Sequence, residues 1–339
     1  MKYLEKYMNL QEKILQMFIL GFSGKELNEE NQNIQQAIKE GLGGVILFSE
    51  NIESYEQIAN LTTELKKLAS VPLFVSIDQE GGRVERTINI KNKINYLTPH
   101  ALAETGNPDN ARAQAEIMVK ELKSMGINMD FAPVLDVNTN PNNPIIGVRS
   151  FGNNPQTVIG FAKPVYETFI NNNIIPVVKH FPGHGDTGED SHLTMPQVNL
   201  SFEELEKQHI EPFKVAFKDG VNAVMISHVH YKAFEETVLP ASLSQNIIKH
   251  YLRGKLGFQG IVISDDMVMG GIDNYYDSFE ACVKGIEAGI DVFIFRNSND
   301  AILNLVHKLV KHVESGLLSR ERIDDSVKRI LRIKNLEFL

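Results

Sequence analysis

The sequence contains a single cysteine, and this scarcity excludes one way of stabilising a folded chain. Cys282 has no second cysteine with which to form an internal disulfide. It lies within the apolar pattern of a predicted helix, so we expect a buried and unreactive thiol.

Long apolar runs and an excess of positive charge are also missing. No stretch approaches the roughly 18 apolar residues that a membrane span requires. Charged side chains interrupt the amino-terminal segment 1–22, so we expect no secretory signal and a cytoplasmic location. The 34 Lys and Arg residues face 43 Asp and Glu residues, a formal net charge of −9. This balance argues against a nucleic-acid partner, which would need a basic face.

What the chain does contain is a regular series of short apolar runs. Each run is nearly continuous in Val, Ile, Leu and Phe rather than alternating with polar residues, which is typical of strands covered on both faces. The eight runs cover 16–22, 43–49, 72–78, 127–136, 174–180, 221–230, 260–266 and 290–296.

Amphipathic helical patterns follow these runs along the chain. Ser54 is the expected N-cap of one helix, Gly126 the stop of another, and Ser201 with Glu204 forms a capping box. The patterns cover 54–70, 107–126, 201–220, 244–256, 277–288, 299–315 and 319–336.

The alternation of strands and helices predicts a parallel sheet, and eight such units close naturally into a (β/α)8 TIM-type barrel. The alternative is an open, doubly wound sheet. No linker or repeat divides the chain, so we expect one domain over 1–339, with the helix near 319–336 at its end and no second α/β domain.

A barrel places its active site at the carboxyl ends of the strands. Charged and imidazole side chains cluster at the predicted ends, whereas the amino ends begin with uncharged residues. This asymmetry predicts a functional mouth at one end of the barrel. The polar residues are Glu50, Asp78, Asp136, Lys179, His180, His228, His230, Asp265, Asp266 and Arg296.

Two motifs supply carboxylates at this mouth. In "VISDDM", regular alternation along a strand allows only one of Asp265 and Asp266 to point into the barrel. The pair can also be interpreted as a helix N-terminus. In "SIDQEGGRVERT", Asp78 beside Arg83 and Arg86 suits a polyhydroxylated ligand, although an exposed ion pair at a turn is the alternative.

The stretch "KHFPGHGDTGEDSH", residues 179–192, concentrates proton-active side chains among prolines and glycines. His192 follows Asp190 by two residues, and a carboxylate partner fixes the tautomer of an imidazole and suits it for proton transfer near neutral pH. We expect His184 to form hydrogen bonds within the loop, and Asp186 and Glu189 to be solvated.

Metal and serine chemistry are the alternatives. His180 and His184 are four residues apart, but Pro182 and Gly183 preclude the helix that would align them, and no HExxH motif supplies further ligands. No GxSxG elbow is present either. We therefore predict a site without a metal or a cofactor.

Four stretches together resemble a known enzyme family. "DQEGGRVER", "FAPVLDV", "KHFPGHGDTGEDSH" and "VISDDMVMGG", in their order and spacing, are similar to glycoside hydrolase family 3. Within that family they resemble the β-N-acetylglucosaminidase branch, the β-hexosaminidases of cell-wall recycling. The histidine-containing loop distinguishes this branch from the family's β-glucosidases.

The resemblance implies a role for each matching residue. Asp265 corresponds to the nucleophile, His192 to the general acid/base, and Asp190 to its partner. His228 corresponds to a pocket-lining residue. The sugar-binding positions correspond to Asp78, Arg86, Arg149, Lys179 and His180.

The resemblance further implies hydrolysis of terminal β-linked N-acetylglucosamine with retention of configuration, through a covalent glycosyl-enzyme on Asp265. The natural substrate would be a muropeptide or its disaccharide. We also expect the loop 181–195 to move and close over bound sugar. Attack by the substrate's own acetamido oxygen, phosphorolysis and a non-catalytic sugar-binding barrel remain the alternatives.

Overall fold

The computed structural model describes residues 8–188 and 195–334. Its strands are short, and each of the eight predicted runs contains at least one of them, whereas the short strand 197–198 falls in none. They are β1 (Phe18–Leu20), β2 (Gly44–Leu47), β3 (Phe74–Ile77), β4 (Met129–Asp130), β5 (Ile175–Pro176), β6 (Val178–Phe181), β7 (Gln197–Val198), β8 (Ala223–Ile226), β9 (His230–Tyr231), β10 (Ile261–Asp266) and β11 (Val292–Phe295). Strands β7 and β9 form a separate two-stranded sheet, and the others form one parallel sheet.

The order of the large sheet is β5-β4-β3-β2-β1-β11-β10-β8-β6. Its two ends, β5 and β6, are separated in the chain only by Val177, so they are two halves of one strand. Because β5 pairs with β4 and β6 pairs with β8, the sheet is closed. The described residues therefore form an eight-stranded parallel barrel. The predicted TIM-type barrel is confirmed, and the open doubly wound sheet is wrong.

Helices surround the barrel. The helices are α1 (Leu10–Gln16), α2 (Gln32–Lys39), α3 (Tyr55–Leu68), α4 (Pro99–Glu104), α5 (Pro108–Ser124), α6 (Pro155–Asn171), α7 (Phe202–Glu204), α8 (Glu211–Lys218), α9 (Gly270–Asp273), α10 (Ser278–Ala288), α11 (Asp300–Glu314) and α12 (Arg320–Ile333), with π-helical segments at Leu205–Ile210 and Asn246–Lys255.

The predicted helix signals act as expected. The Ser54 side chain accepts a hydrogen bond from the backbone of Gln57 at the start of α3, and Ser201 with Glu204 forms the predicted capping box before α7. Gly126 follows α5 with φ +72°, a conformation that glycine adopts without strain. Helix α6 was not predicted, because Pro164 interrupts its pattern.

The core lies in the barrel and between the barrel and the helices. Residues in β1, β2, β3, β8 and β11 are all buried, which explains their continuous apolar runs. Cys282 is fully buried on α10, and burial raises the pKa of its thiol, as an unreactive role requires. Within the described part of the chain, no helix is both long enough and apolar enough to cross a membrane.

Candidate active site

A cavity of about 450 Å³ opens at the carboxyl ends of the barrel strands, within the size range of small-ligand sites. Six of the residues predicted to form a site line this one cavity, although they come from distant parts of the chain. They are Asp78, Arg86, Arg149, Lys179, His180 and Asp265.

Two other predicted residues, His192 and Asp190, lie outside the described residues, and so do residues 189–194 of the loop predicted to move. His228 does not line the cavity. It is buried beside it, with Nδ1 2.7 Å from the Ser242 hydroxyl and Nε2 3.2 Å from the backbone oxygen of Asp266.

Both consecutive aspartates at the end of β10 line the cavity, whereas regular alternation would place only one of them there. The pairing of β10 with β11 shifts register by one residue between Ile263 and Asp266. Such a bulge interrupts the regular alternation of side chains.

A second bulge, in β6, has the same effect on Lys179 and His180. Strand β6 shifts register against β8 between Val178 and Phe181, and the residues within the shift are Lys179 and His180. Both line the cavity. The two bulges thus supply two consecutive functional pairs where a regular strand would supply one residue each.

Lys179 lies at the centre of a buried ion network. Its Nζ is 2.8 Å from Asp78 Oδ1 and 2.6 Å from Glu80 Oε1, and its side chain is 2% exposed. Burial opposes the charged form, but the carboxylates of Asp78 and Glu80 outweigh it and hold the pKa of Lys179 above its usual value. The lysine is therefore a permanent cation in the wall of the cavity.

Two arginines complete the network. Arg149 donates two hydrogen bonds of 2.8 Å to Glu80, from Nε and Nη2, and Arg86 Nη2 is 3.0 Å from Asp78 Oδ2. Despite burial, Arg149 and Lys179 hold the pKa of Glu80 at about 2, and Lys179 and Arg86 keep the pKa of Asp78 far below its usual value.

Sequence reasoning missed Glu80 as a site residue. The available signal was its position two residues after Asp78 in the same motif. Its buried carboxylate bridges Lys179 and Arg149, so it sets the orientation of two predicted sugar-binding cations.

His180 is held by a carboxylate behind it. Its Nδ1 is 2.6 Å from Asp136 Oδ2, and Asp136 is fully buried. Burial opposes ionisation of Asp136, but His180 and further hydrogen bonds hold its pKa at about 2. An ionised Asp136 accepts a hydrogen bond from Nδ1–H of His180. This leaves Nε2 of His180 as the ring nitrogen available to a ligand.

His184 adopts the expected local arrangement. Its Nδ1 is 2.9 Å from the hydroxyl of Thr187, and burial together with His180 lowers the pKa of His184 to about 4. Asp186, expected to be solvated, instead accepts a 2.7 Å hydrogen bond from Thr139. The bond from Thr139 ties this segment to the loop after β4.

The two aspartates of β10 differ in their electrostatics. Burial raises the pKa of Asp266 to about 6. Burial also opposes ionisation of Asp265, but His180 and His228 outweigh it, and the pKa of Asp265 is below its usual value. Asp265 is thus an ionised carboxylate with the character of a nucleophile, adjacent to cations and hydrogen-bond donors that suit sugar hydroxyls.

No group of three or more His, Cys, Asp or Glu side chains in residues 8–188 and 195–334 has a geometry that would hold a metal ion.

Comparison with known proteins identifies the family. The model described as glycosyl hydrolase family 3 N terminal domain matches residues 9–333. The chain belongs to this family. As a family 3 glycoside hydrolase domain, it carries its candidate site at the barrel end where the family fold requires it.

The relatives carry consistent names. The chain is 34% identical over 318 residues to a protein named beta-hexosaminidase A from Pseudoalteromonas piscicida, covering 86% of this chain and 53% of that one. It is 34% identical to a beta-hexosaminidase from Neisseria meningitidis serogroup C, covering 81% of this chain and 76% of the relative.

A solved structure is also similar. A glycoside hydrolase family 3 beta-N-acetylglucosaminidase from Paenibacillus sp. strain FPU-7 superposes with a TM-score of 0.90 at 40% identity, covering 97% of this chain and 62% of that one. The chain therefore spans a little over half the length of two of these three relatives, and more of the third.

Proposed function

We propose that this domain is a retaining exo-β-N-acetylglucosaminidase that removes terminal β-linked N-acetylglucosamine. The observation that carries this proposal is the ionised Asp265 carboxylate in one cavity with the network of Asp78, Glu80, Lys179 and Arg149. The names of the relatives, beta-hexosaminidase and beta-N-acetylglucosaminidase, support the choice of sugar.

In this proposal Asp265 attacks the anomeric carbon and forms a covalent glycosyl-enzyme, which water then hydrolyses. His180 and His228 favour the ionised form of Asp265 before attack. His192 first protonates the leaving oxygen and later removes a proton from water, with Asp190 stabilising its imidazolium form.

The fixed ions of the cavity bind the sugar. Asp78 accepts hydrogen bonds from sugar hydroxyl groups. Lys179, Arg86 and Arg149 donate hydrogen bonds to hydroxyl or acetamido oxygens, and His180 forms a hydrogen bond through Nε2. Because these groups are already paired with one another, they hold their positions before the sugar arrives, and little reorganisation is needed on binding.

The proposed natural substrate is a muropeptide or its disaccharide, in which N-acetylglucosamine is linked to a muramic acid derivative. The name beta-hexosaminidase of the relatives is consistent with this class. The remainder of the substrate would extend from the cavity mouth, since only the terminal sugar must lie beside Asp265.

The test compares hydrolysis of aryl β-N-acetylglucosaminides with hydrolysis of an aryl β-glucoside. We expect hydrolysis of the N-acetylglucosaminides, and loss of activity by several orders of magnitude in Asp265→Asn, because the nucleophile is removed. Incubation with a 5-fluoro-N-acetylglucosaminyl fluoride should leave a sugar covalently attached to Asp265, detected by mass spectrometry of peptides.

The role of His192 is tested with leaving groups of different basicity. His192→Ala should retain far more activity on an activated aryl group, which leaves without protonation, than on an unactivated one. His180→Ala is the matched control, because loss of a sugar contact should slow both substrates to a similar degree.

Three results would contradict the proposal. Hydrolysis by the wild-type protein with no sugar trapped on Asp265 would indicate attack by the acetamido oxygen. Phosphate-dependent release of sugar 1-phosphate would indicate phosphorolysis. Binding of N-acetylglucosamine without turnover of any glycoside would indicate a non-catalytic barrel.

A further inference from the structure

Two arginines at the rim of the cavity differ from the cations within it. Arg83 and Arg296 both line the cavity, and both are exposed. Arg83 donates one hydrogen bond of 3.2 Å to the carbonyl of Pro144, and the Arg296 guanidinium lies 5.4 Å from the centre of the Phe48 ring. Among the described residues, neither guanidinium forms an ion pair with a carboxylate.

The inner cations are already neutralised. Lys179 and Arg86 are paired with Asp78, and Arg149 forms a double hydrogen bond with Glu80. An anionic group of a ligand would have to compete with these carboxylates at close range. Such a group is therefore not expected to bind deep in the cavity.

The cavity lining carries more positive than negative side chains. Five cationic side chains line the cavity, against four carboxylates, in a chain whose formal net charge is −9. The carboxylates are Asp78, Glu80, Asp265 and Asp266. The surplus is one positive charge, and it lies at the rim, where neither arginine has a carboxylate partner among the described residues. The mouth therefore offers a local attraction for anions on a molecule that repels them overall.

If the proposed function is correct, the terminal sugar occupies the inner end beside Asp265 and the leaving group extends toward the rim. We propose that Arg83 and Arg296 bind a carboxylate on the leaving sugar, and so determine preference for an acidic aglycone. A guanidinium offers planar, paired donors that match the geometry of a carboxylate. Both side chains are exposed, which leaves them free to reach it.

The experiment compares two disaccharides that are identical at the reacting bond. One is N-acetylglucosaminyl-β-1,4-N-acetylmuramic acid, and the other is the same compound with its lactyl carboxylate converted to the amide. The measured quantity is the ratio of kcat/KM for the acid to kcat/KM for the amide. An aryl β-N-acetylglucosaminide is assayed in parallel to test the proposed function itself.

We expect Arg83→Gln and Arg296→Gln each to lower this ratio by about fivefold, the upper range for a partly exposed ion pair. Arg83→Lys and Arg296→Lys, which keep the positive charge, should retain more of the preference. Raising the salt concentration should lower the ratio in the wild-type protein, because exposed charges are screened. Arg320→Gln is the matched control: it removes one exposed positive charge that does not line the cavity, and the ratio should not change.

An unchanged ratio in both variants and in the double variant, with the aryl substrate still hydrolysed, would overturn this inference and leave the proposed function intact. No hydrolysis of the aryl substrate or of either disaccharide by the wild-type protein would overturn both.

Discussion

Lys179 illustrates how one residue serves both stability and recognition. Its ammonium group is shared by Asp78 and Glu80, and almost none of the side chain reaches solvent. Removing one member of a buried ion network leaves charges without compensation, which is far more costly than losing a surface pair.

We predict that Lys179→Met lowers the free energy of unfolding by about 3 kcal/mol at pH 7. The measurement is urea denaturation followed by circular dichroism. Lys163→Met is the matched control, since Lys163 pairs with Asp219 at 2.8 Å but is 41% exposed, and its loss should cost within about 1 kcal/mol. Equal costs for the two variants would show that the buried network is not stabilising.

The loss of stability in Lys179→Met depends on pH through the carboxylates of Asp78 and Glu80. The native pKa of Glu80 is about 2, below its usual value, and that of Asp78 is also lowered. Groups with lowered pKa values contribute stability above their unfolded-state pKa and lose it as the pH falls toward the folded-state pKa. The deficit of Lys179→Met should therefore shrink between pH 7 and pH 3.

Single residues of the site were predictable where the chemistry was visible in the sequence. Asp78, Lys179 and Asp265 stand at the ends of predicted strands, and they do meet in one cavity. Glu80 and Asp136 were not assigned as partners, because their contacts join residues far apart in the chain. Pairing of this kind depends on the closed barrel rather than on local spacing.

At the scale of elements, the segment 182–188 is fixed against the loop after β4. Asp136 accepts a hydrogen bond of 2.7 Å from the backbone of His184. Gly185 packs so closely that an added Cβ would collide with the carbonyl oxygen of Val137. At Gly188 the nearest atom would be 3.7 Å away, an ordinary contact.

These two glycines make a matched pair for a substitution test. We predict that Gly185→Ala displaces the segment that carries His184, and lowers kcat/KM on the order of 10²-fold, since small misplacements of site residues are costly. Gly188→Ala should remain close to wild type in activity and thermal stability. Kinetics on an aryl N-acetylglucosaminide and differential scanning fluorimetry check both variants. If Gly185→Ala were as active as Gly188→Ala, the position of this segment would not matter to the site.

The strands were predictable as elements because burial on both faces makes their sequences continuously apolar. The two bulges were not, since a register shift in β6 or β10 depends on the neighbouring strand. The assumption of regular alternation failed for that reason at Asp265 and Asp266. Sequence pattern gave the strands, and the closed barrel determined which side chains meet.

At the scale of the whole molecule, a buried ion cluster lies at each end of the barrel. Beyond the mouth, a second cluster lies near the amino end of β11, where the fully buried Asp291 contacts Arg253, Arg322 and Arg329. It also accepts hydrogen bonds from the Ser326 hydroxyl, at 2.7 Å, and from the backbone N–H of Val262. In TIM barrels the end opposite the active site serves stability.

We therefore predict that Asp291→Asn separates stability from activity. The substitution leaves three partly buried guanidiniums without their shared anion, and the free energy of unfolding should fall by about 3–5 kcal/mol. KM for an aryl N-acetylglucosaminide, measured well below the melting temperature, should stay within about twofold of wild type, because the cluster does not line the active-site cavity. Asp325→Asn is the control: Asp325 is 46% exposed and 3.6 Å from Lys328, so both quantities should hardly change. A large change in KM for Asp291→Asn would mean that the two ends of the barrel are coupled.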